Sequence, residues 1–109
     1  MALAEKNQNG VLNGGTAVDV VSVPGSSVTR VIRNVSVVNV DSVAQTFTLI
    51  YNDNATLRTL AIFTLAAGES AEYDTVQVLD ATTKKLQAKL SGAHTTTAPS
   101  FVATFAEVT

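Results

Sequence analysis

Apolar and polar residues alternate along much of the chain, and this period of two predicts β-strands. Residues 45–51 alternate cleanly, and in residues 56–65 the alternation places Leu57, Ala61, Phe63 and Leu65 on one face, with Arg58 and Thr64 opposite. Between them lies Asn52-Asp53-Asn54, and Asn and Asp tolerate the positive φ that tight hairpin turns need. The pattern therefore predicts an antiparallel hairpin over residues 45–65. The residues expected to be buried in it are Phe47, Leu49, Phe63 and Leu65.

Five more stretches look like strands and are bounded by turn signals such as Pro24-Gly25-Ser26-Ser27. In residues 28–40 the apolar positions change parity at Val37-Val38, which predicts either a β-bulge or a strand that is covered on both faces. Residues 82–90 place only Leu86 and Leu90 on one helical face, so a strand is preferred there. Seven to eight short strands without a helix predict an all-β fold, an antiparallel β-sandwich or jelly-roll-like.

The first 16 residues differ from the rest, because they are polar and rich in glycine. A segment with so little apolar surface cannot bury enough to order itself. The sequence therefore predicts a flexible, irregular N-terminal arm over residues 1–16 and a single β-sandwich domain over residues 17–109. Because an extended chain spans about 3.3 Å per residue, the arm can reach a neighbouring subunit. We expect its Leu3, Val11 and Leu12 to form a protein interface; the alternative is a frayed terminus.

Charge and composition narrow the range of partners. The net charge is -2, and the densest basic cluster is Lys84, Lys85 and Lys89, which we interpret as a solvated strand edge. Nucleic-acid binding normally uses a broader basic face, so no nucleic acid is expected. The chain has no cysteine, which excludes disulfides and thiolate metal sites. It shows neither a secretory leader nor an apolar run of about 20 residues, so we expect no membrane and synthesis in a cytoplasm.

The titratable residues form no recognisable catalytic or metal-binding pattern. His94, the only histidine, lies in a predicted loop, whereas a catalytic triad or a zinc site needs several positioned partners. Glu69, Glu72 and Asp74 are candidates for a glycosidase acid pair, but they flank a turn where charge serves solubility. The glycines lack the Lys-Ser or Lys-Thr of a phosphate loop. We therefore predict no catalytic residue, no metal site and no cofactor, and we do not expect an enzyme.

From Arg30 onward the chain resembles a widespread type of small bacteriophage virion protein. The motifs that carry the resemblance are Arg33-Asn34-Val35-Ser36-Val37, Thr46-Phe47-Thr48-Leu49, Leu65-Ala66-Ala67-Gly68-Glu69-Ser70, Val76-Gln77-Val78-Leu79 and Phe101-Val102-Ala103-Thr104-Phe105-Ala106-Glu107. They cover about three quarters of the chain together with the segments between them. Relatives usually have Gly before the penultimate strand, where this sequence has Thr82-Thr83.

The resemblance implies a small β-sandwich on the capsid, at the neck or in the tail of a virion, and it brings no catalytic residues. We expect a capsid cement or decoration protein that stabilises the head by bridging capsid subunits. Its expected partners are the viral major capsid protein or other virion proteins, and further copies of itself in a homo-oligomer. The alternatives are a head–tail connector or tail structural protein, and a tail receptor or carbohydrate-binding module. The last normally exposes aromatic rings, whereas this chain has no Trp and its six Phe and Tyr residues mostly alternate as core residues do.

Overall fold

Nine strands make up the regular structure of residues 2–109 in the computed structural model, which describes these residues of the chain. The strands are β1 Leu3–Val11, β2 Val18–Val21, β3 Thr29–Val38, β4 Gln45–Asp53, β5 Thr56–Leu65, β6 Ser70–Tyr73, β7 Gln77–Leu79, β8 Lys84–Leu90 and β9 Ser100–Val108. No helix occurs in this part of the chain, and hence none that is long and apolar enough to cross a bilayer. The all-β prediction is confirmed.

The strands form two antiparallel sheets. In sheet I the order is β1, β9, β3, with β6 and β7 both paired to the far side of β3. In sheet II the order is β2, β8, β4, β5. Apolar side chains from the inner faces of both sheets form one core cluster, so the predicted β-sandwich is confirmed.

The predicted hairpin is the β4–β5 pair. Its loop is the two residues Asn54 and Ala55, whose φ values of 50° and 70° are those of a turn that matches the twist of the strands. Phe47, Leu49 and Leu65 are buried as expected. Phe63 is only half-buried, because β5 lies at the edge of sheet II, and its ring stacks on Phe47 at 5.7 Å between centroids.

The predicted bulge in β3 exists, but it lies earlier in the strand than Val37-Val38. The register between β3 and β9 shifts between Ile32 and Asn34, which leaves Arg33 without a partner. Ile32 and Val35 can therefore both point into the core, although they are an odd number of positions apart in the strand.

The expectation of an irregular arm is wrong for residues 3–11, which form β1 and pair with β9 along nine consecutive residues. An edge strand with one solvent face needs few apolar side chains, because its backbone hydrogen bonds to the neighbouring strand order it. Gly10 serves close packing here, since a Cβ at this position would lie 3.1 Å from Cζ of the Phe101 ring. Residue 1 lies outside the described residues.

The lysine cluster of residues 84–89 also differs from its interpretation as a strand edge. It lies on β8, which is an inner strand of sheet II between β2 and β4. Lys85 and Lys89 project from the outer face, while Leu86, Ala88 and Leu90 are buried beneath. Lys85 and Lys89 keep a solvated position because alternation turns every second side chain of this strand outward, whereas Lys84, at the start of β8, pairs with Asp80.

Candidate assembly surface

The described residues, 2–109, enclose no pocket and contain no group of three or more His, Asp or Glu that could hold a metal ion. His94, Glu69, Glu72 and Asp74 are all exposed and do not come together. Glu69 caps its own turn, since its Oε1 accepts a hydrogen bond from the Ala66 amide at 2.6 Å. None of these side chains is placed for a reaction with another.

Asp41 is buried, and its carboxylate accepts hydrogen bonds from several groups of the same chain. The carboxylate accepts hydrogen bonds from the amides of Ser42, Thr95, Thr96 and Thr97, from the Thr96 hydroxyl and from Nε2 of Gln45, at 2.7 to 3.3 Å. Burial alone would raise the pKa of Asp41, but these hydrogen bonds, chiefly from the Thr95 and Thr96 amides, hold it far below its usual range. The group fastens the β8–β9 loop to the β3–β4 loop.

A second group of paired charges joins β1, β3 and β9 of sheet I. Arg30 lies over the ring of Phe105, with its guanidinium carbon 5.0 Å from the centroid, and its Nε is 2.8 Å from Oε2 of Glu107. Lys6 lies 3.1 Å from the other carboxylate oxygen, Oε1. The hydrogen bonds from Lys6 and Arg30 lower the pKa of Glu107. Because each charge has a partner of opposite sign within the chain, this cluster is structural.

The outer face of sheet I is broad and carries few charges. Residues paired across strands share a face, so the register defines its members. They are Leu3, Glu5, Asn7, Asn9 and Val11 of β1; Ser100, Val102, Thr104, Ala106 and Val108 of β9; Thr29, Val31, Asn34, Ser36 and Val38 of β3; Ser70 and Glu72 of β6; and Val78 of β7. Glu5 is neutralised by Arg33 of the bulge at 3.4 Å. The remaining members, apart from Glu72, are uncharged and mostly short.

The outer face of sheet II has a different character. It carries Asp19, Lys85 and Lys89, and a chain of polar contacts crosses it. Asp19 accepts a hydrogen bond from Gln87, and Gln87 accepts one from Asn52. Long charged side chains are costly to immobilise and are depleted at the centre of protein interfaces. Each outer face carries three charged side chains, but Lys85 and Lys89 lie on the inner strand β8 of sheet II, whereas Glu5 and Glu72 lie on the outer strands β1 and β6 of sheet I. The middle of the sheet I face is therefore the better contact surface of the two.

The structure separates the three residues predicted to form an interface. Leu3 and Val11 lie at opposite ends of β1 on the outer face of sheet I, 62% and 59% exposed. Leu12 is 1% exposed and belongs to the core of the chain itself, so it is not accessible to a partner. Val102 lies near the middle of the same face and is 45% exposed. Its exposure was not predictable, because alternation alone does not tell which face of a strand is covered.

Aromatic side chains do not contribute to either outer face. Phe47, Phe101 and Phe105 are buried, and Tyr51, Phe63 and Tyr73 are half-buried against the core. The prediction that the aromatic residues belong to the core is confirmed in this sense. The described surface therefore lacks the exposed rings on which sugars stack.

No protein-family model and no curated protein sequence matches the chain. Solved structures, in contrast, match nearly its whole length. A chain of the Bacillus endospore appendages, described as disulfide-linked pili, has a TM-score of 0.57 and 12% sequence identity, and the match covers 99% of this chain and 87% of that chain. The coat protein of Tobacco streak virus has a TM-score of 0.50 and 8% identity, with 94% and 84% covered.

A chain from infectious bursal disease virus has a TM-score of 0.53 and 12% identity, and the match covers 97% of this chain but 32% of that longer one. These proteins include viral coat and pilus components. At such low identities the likeness shows a shared fold, the two-sheet β-sandwich, and nothing more.

Proposed function

We propose that this chain is a structural component of a bacteriophage virion, and that it acts as a capsid cement or decoration protein. The observation that carries the proposal is the outer face of sheet I, with its short side chains, few charges and exposed Leu3, Val11 and Val102. Such a face suits contact with another protein surface. Two of the solved structures with this fold are a viral coat protein and a chain of disulfide-linked pili, which adds support.

The mechanism is adhesion. With strands about 4.8 Å apart and about 3.3 Å per residue, the face of four strands and nine residues measures roughly 600 Å². Each partner of a standard-size interface contributes about 800 Å². The face of one copy thus supplies most of the area that a stable interface needs. Several copies that bind across the boundaries between capsid subunits would oppose the separation of those subunits. The partner is the major capsid protein or another virion protein.

A pair of matched variants tests the contact face. Val102→Glu places a charge in the middle of the sheet I face, and Thr48→Glu places the same charge on the outer face of sheet II. In particles produced from the encoding genome, we expect Val102→Glu to be lost from the purified virion and Thr48→Glu to remain, as measured by quantitative mass spectrometry. Both variants must melt close to the parent chain. Retention of both, or loss of Thr48→Glu alone, contradicts the assignment of the face.

Particles that lack the chain test the cement role. We expect heads to assemble and to release their genome at a lower temperature than complete particles, with added purified chain restoring the parent temperature. Copy number separates the alternatives, because a cement protein covers the head in many copies, whereas a head–tail connector forms a single ring. Absence of the chain from purified particles refutes the virion assignment altogether.

A further inference from the structure

β5 forms a long sheet edge that has few of the features that normally block pairing with another strand. β5 has ten residues and pairs with β4 on one side. Its sequence contains no Lys, Asp, Glu or Pro, and Arg58 is its one charged residue. Leu57 and Ile62 are 60% and 65% exposed. Proteins normally shield such an edge, because unpaired backbone groups of a flat apolar strand recruit another strand.

The other edges of the two sheets are protected. β1 carries Glu5 and Lys6, and its Gln8 side chain is bonded to β2. β2 has four residues and a register shift, while β6 and β7 have four and three residues. Short strands, bulges and charges are the usual ways to block edge pairing. The contrast indicates that the edge of β5 is meant for a partner.

The arrangement of β5 side chains is symmetric about its middle. The register with β4 skips Leu60, so Leu60 and Ala61 both pack toward the core. Residues 57, 59, 62 and 64 lie on the outer face, and residues 56, 58, 60, 61, 63 and 65 lie on the inner side. Read from either end, this order of inner and outer positions is the same.

From this symmetry we propose that β5 pairs with β5 of a second copy, antiparallel about a two-fold axis that passes between Leu60 and Ala61. In this register every inner residue faces an inner residue and every outer residue faces an outer one. Thr59 lies opposite the partner's Ile62, and Arg58 lies opposite the partner's Phe63. The two copies of sheet II become one continuous eight-stranded sheet. The contact is isologous and therefore stops at a dimer.

The chemistry of the opposed residues agrees with this register. The two Arg58 side chains do not face each other, so no like charges meet, and each can lie on the partner's Phe63 ring as a cation on an aromatic face. The exposed Ile62 side chains gain neighbours across the new pair. A second copy of β5 has the same two successive inner residues, Leu60 and Ala61, and can therefore match them across the pair. An unrelated strand with regular alternation cannot.

Two double variants with introduced charges test the proposed register. Thr59→Lys combined with Ile62→Lys sets two lysines opposite each other at both symmetric places. We expect this variant to weaken the dimer by about tenfold or more, measured by analytical ultracentrifugation. Thr59→Lys combined with Ile62→Glu sets opposite charges there and should keep the dimer. Val102→Lys, on the far sheet, is the control and should not change the association.

Cysteine cross-linking gives an independent readout, because the chain has no cysteine of its own. A mixture of Thr59→Cys and Ile62→Cys chains should form a disulfide-linked heterodimer on mild oxidation, whereas Thr59→Cys chains alone should not. The proposal is overturned if the parent chain stays monomeric, if both charge variants associate equally, or if the mixed cysteines do not link. None of these outcomes bears on the virion assignment, which rests on sheet I and on particle composition.

Discussion

At Phe47 a single side chain connects the two halves of the hairpin to the core, since its buried ring stacks on Phe63 of β5. We expect Phe47→Ala to lower the free energy of unfolding by about 3–5 kcal/mol, because the loss of the ring leaves a cavity. Val76→Ala, at an exposed position between β6 and β7, should change it by less than about 0.5 kcal/mol. Urea unfolding of both variants measures the difference. Equal effects would mean that the core is not packed around Phe47.

Asp41 makes the stability of the fold depend on pH in the acidic range. Its pKa in the folded state lies below that of an unfolded chain, about 3.9, so the carboxylate stabilises the fold fully above that pH. The stabilisation is lost as the pH falls through the folded-state pKa. We expect Asp41→Asn to lower the melting temperature at pH 7, and the gap to the parent chain to shrink below about pH 4. A gap that stays constant down to pH 2 would show that the charge is not responsible.

Among the elements, β1 depends on few side-chain contacts, and Gln8 provides the most specific one. Its Nε2 donates to the Asp19 carbonyl of β2 and to the hydroxyl of Ser22, directly after β2, while its Oε1 accepts from the Ser22 amide. Gln8→Ala should therefore cost about 1–2 kcal/mol in unfolding free energy. Asn7→Ala, the outward neighbour on β1, is the matched control and should be close to neutral. Faster hydrogen exchange along β1 in Gln8→Ala alone would locate the effect.

The hairpin was predictable because its signals are local: alternation sets the faces and Asn-rich sequence sets the turn. β1 was not, because its order comes from a strand at the other end of the chain. The role of Asp41 was hidden for the same reason, since its main donors lie more than 50 residues away in sequence. Leu3 and Val11 are exposed, so an interface at these two residues stays a prediction, whereas Leu12 is buried in the core, which residue type alone did not indicate.

For the molecule as a whole, the prediction that no catalysis occurs remains to be tested in the particle. We expect His94→Ala, and separately Glu69→Gln with Glu72→Gln, to leave infectivity and particle stability unchanged, because these side chains are exposed and apart. Glutamine at position 69 retains the oxygen that caps the turn. Loss of infectivity in a variant that folds normally and enters the particle would reopen the possibility of an active site.

The pairing of β1 with β9 brings the two ends of the described chain together. Ala2 and Thr109 exchange two backbone hydrogen bonds, at 3.0 and 3.2 Å. Any polypeptide joined before Ala2 or after Thr109 thus departs from one and the same corner of the sandwich. A short glycine linker can join these ends, and the chain can be reopened at the Gly25–Ser27 turn to give a circular permutant with the same sheets. Cargo fused at the reopened turn would leave the sandwich from a different point.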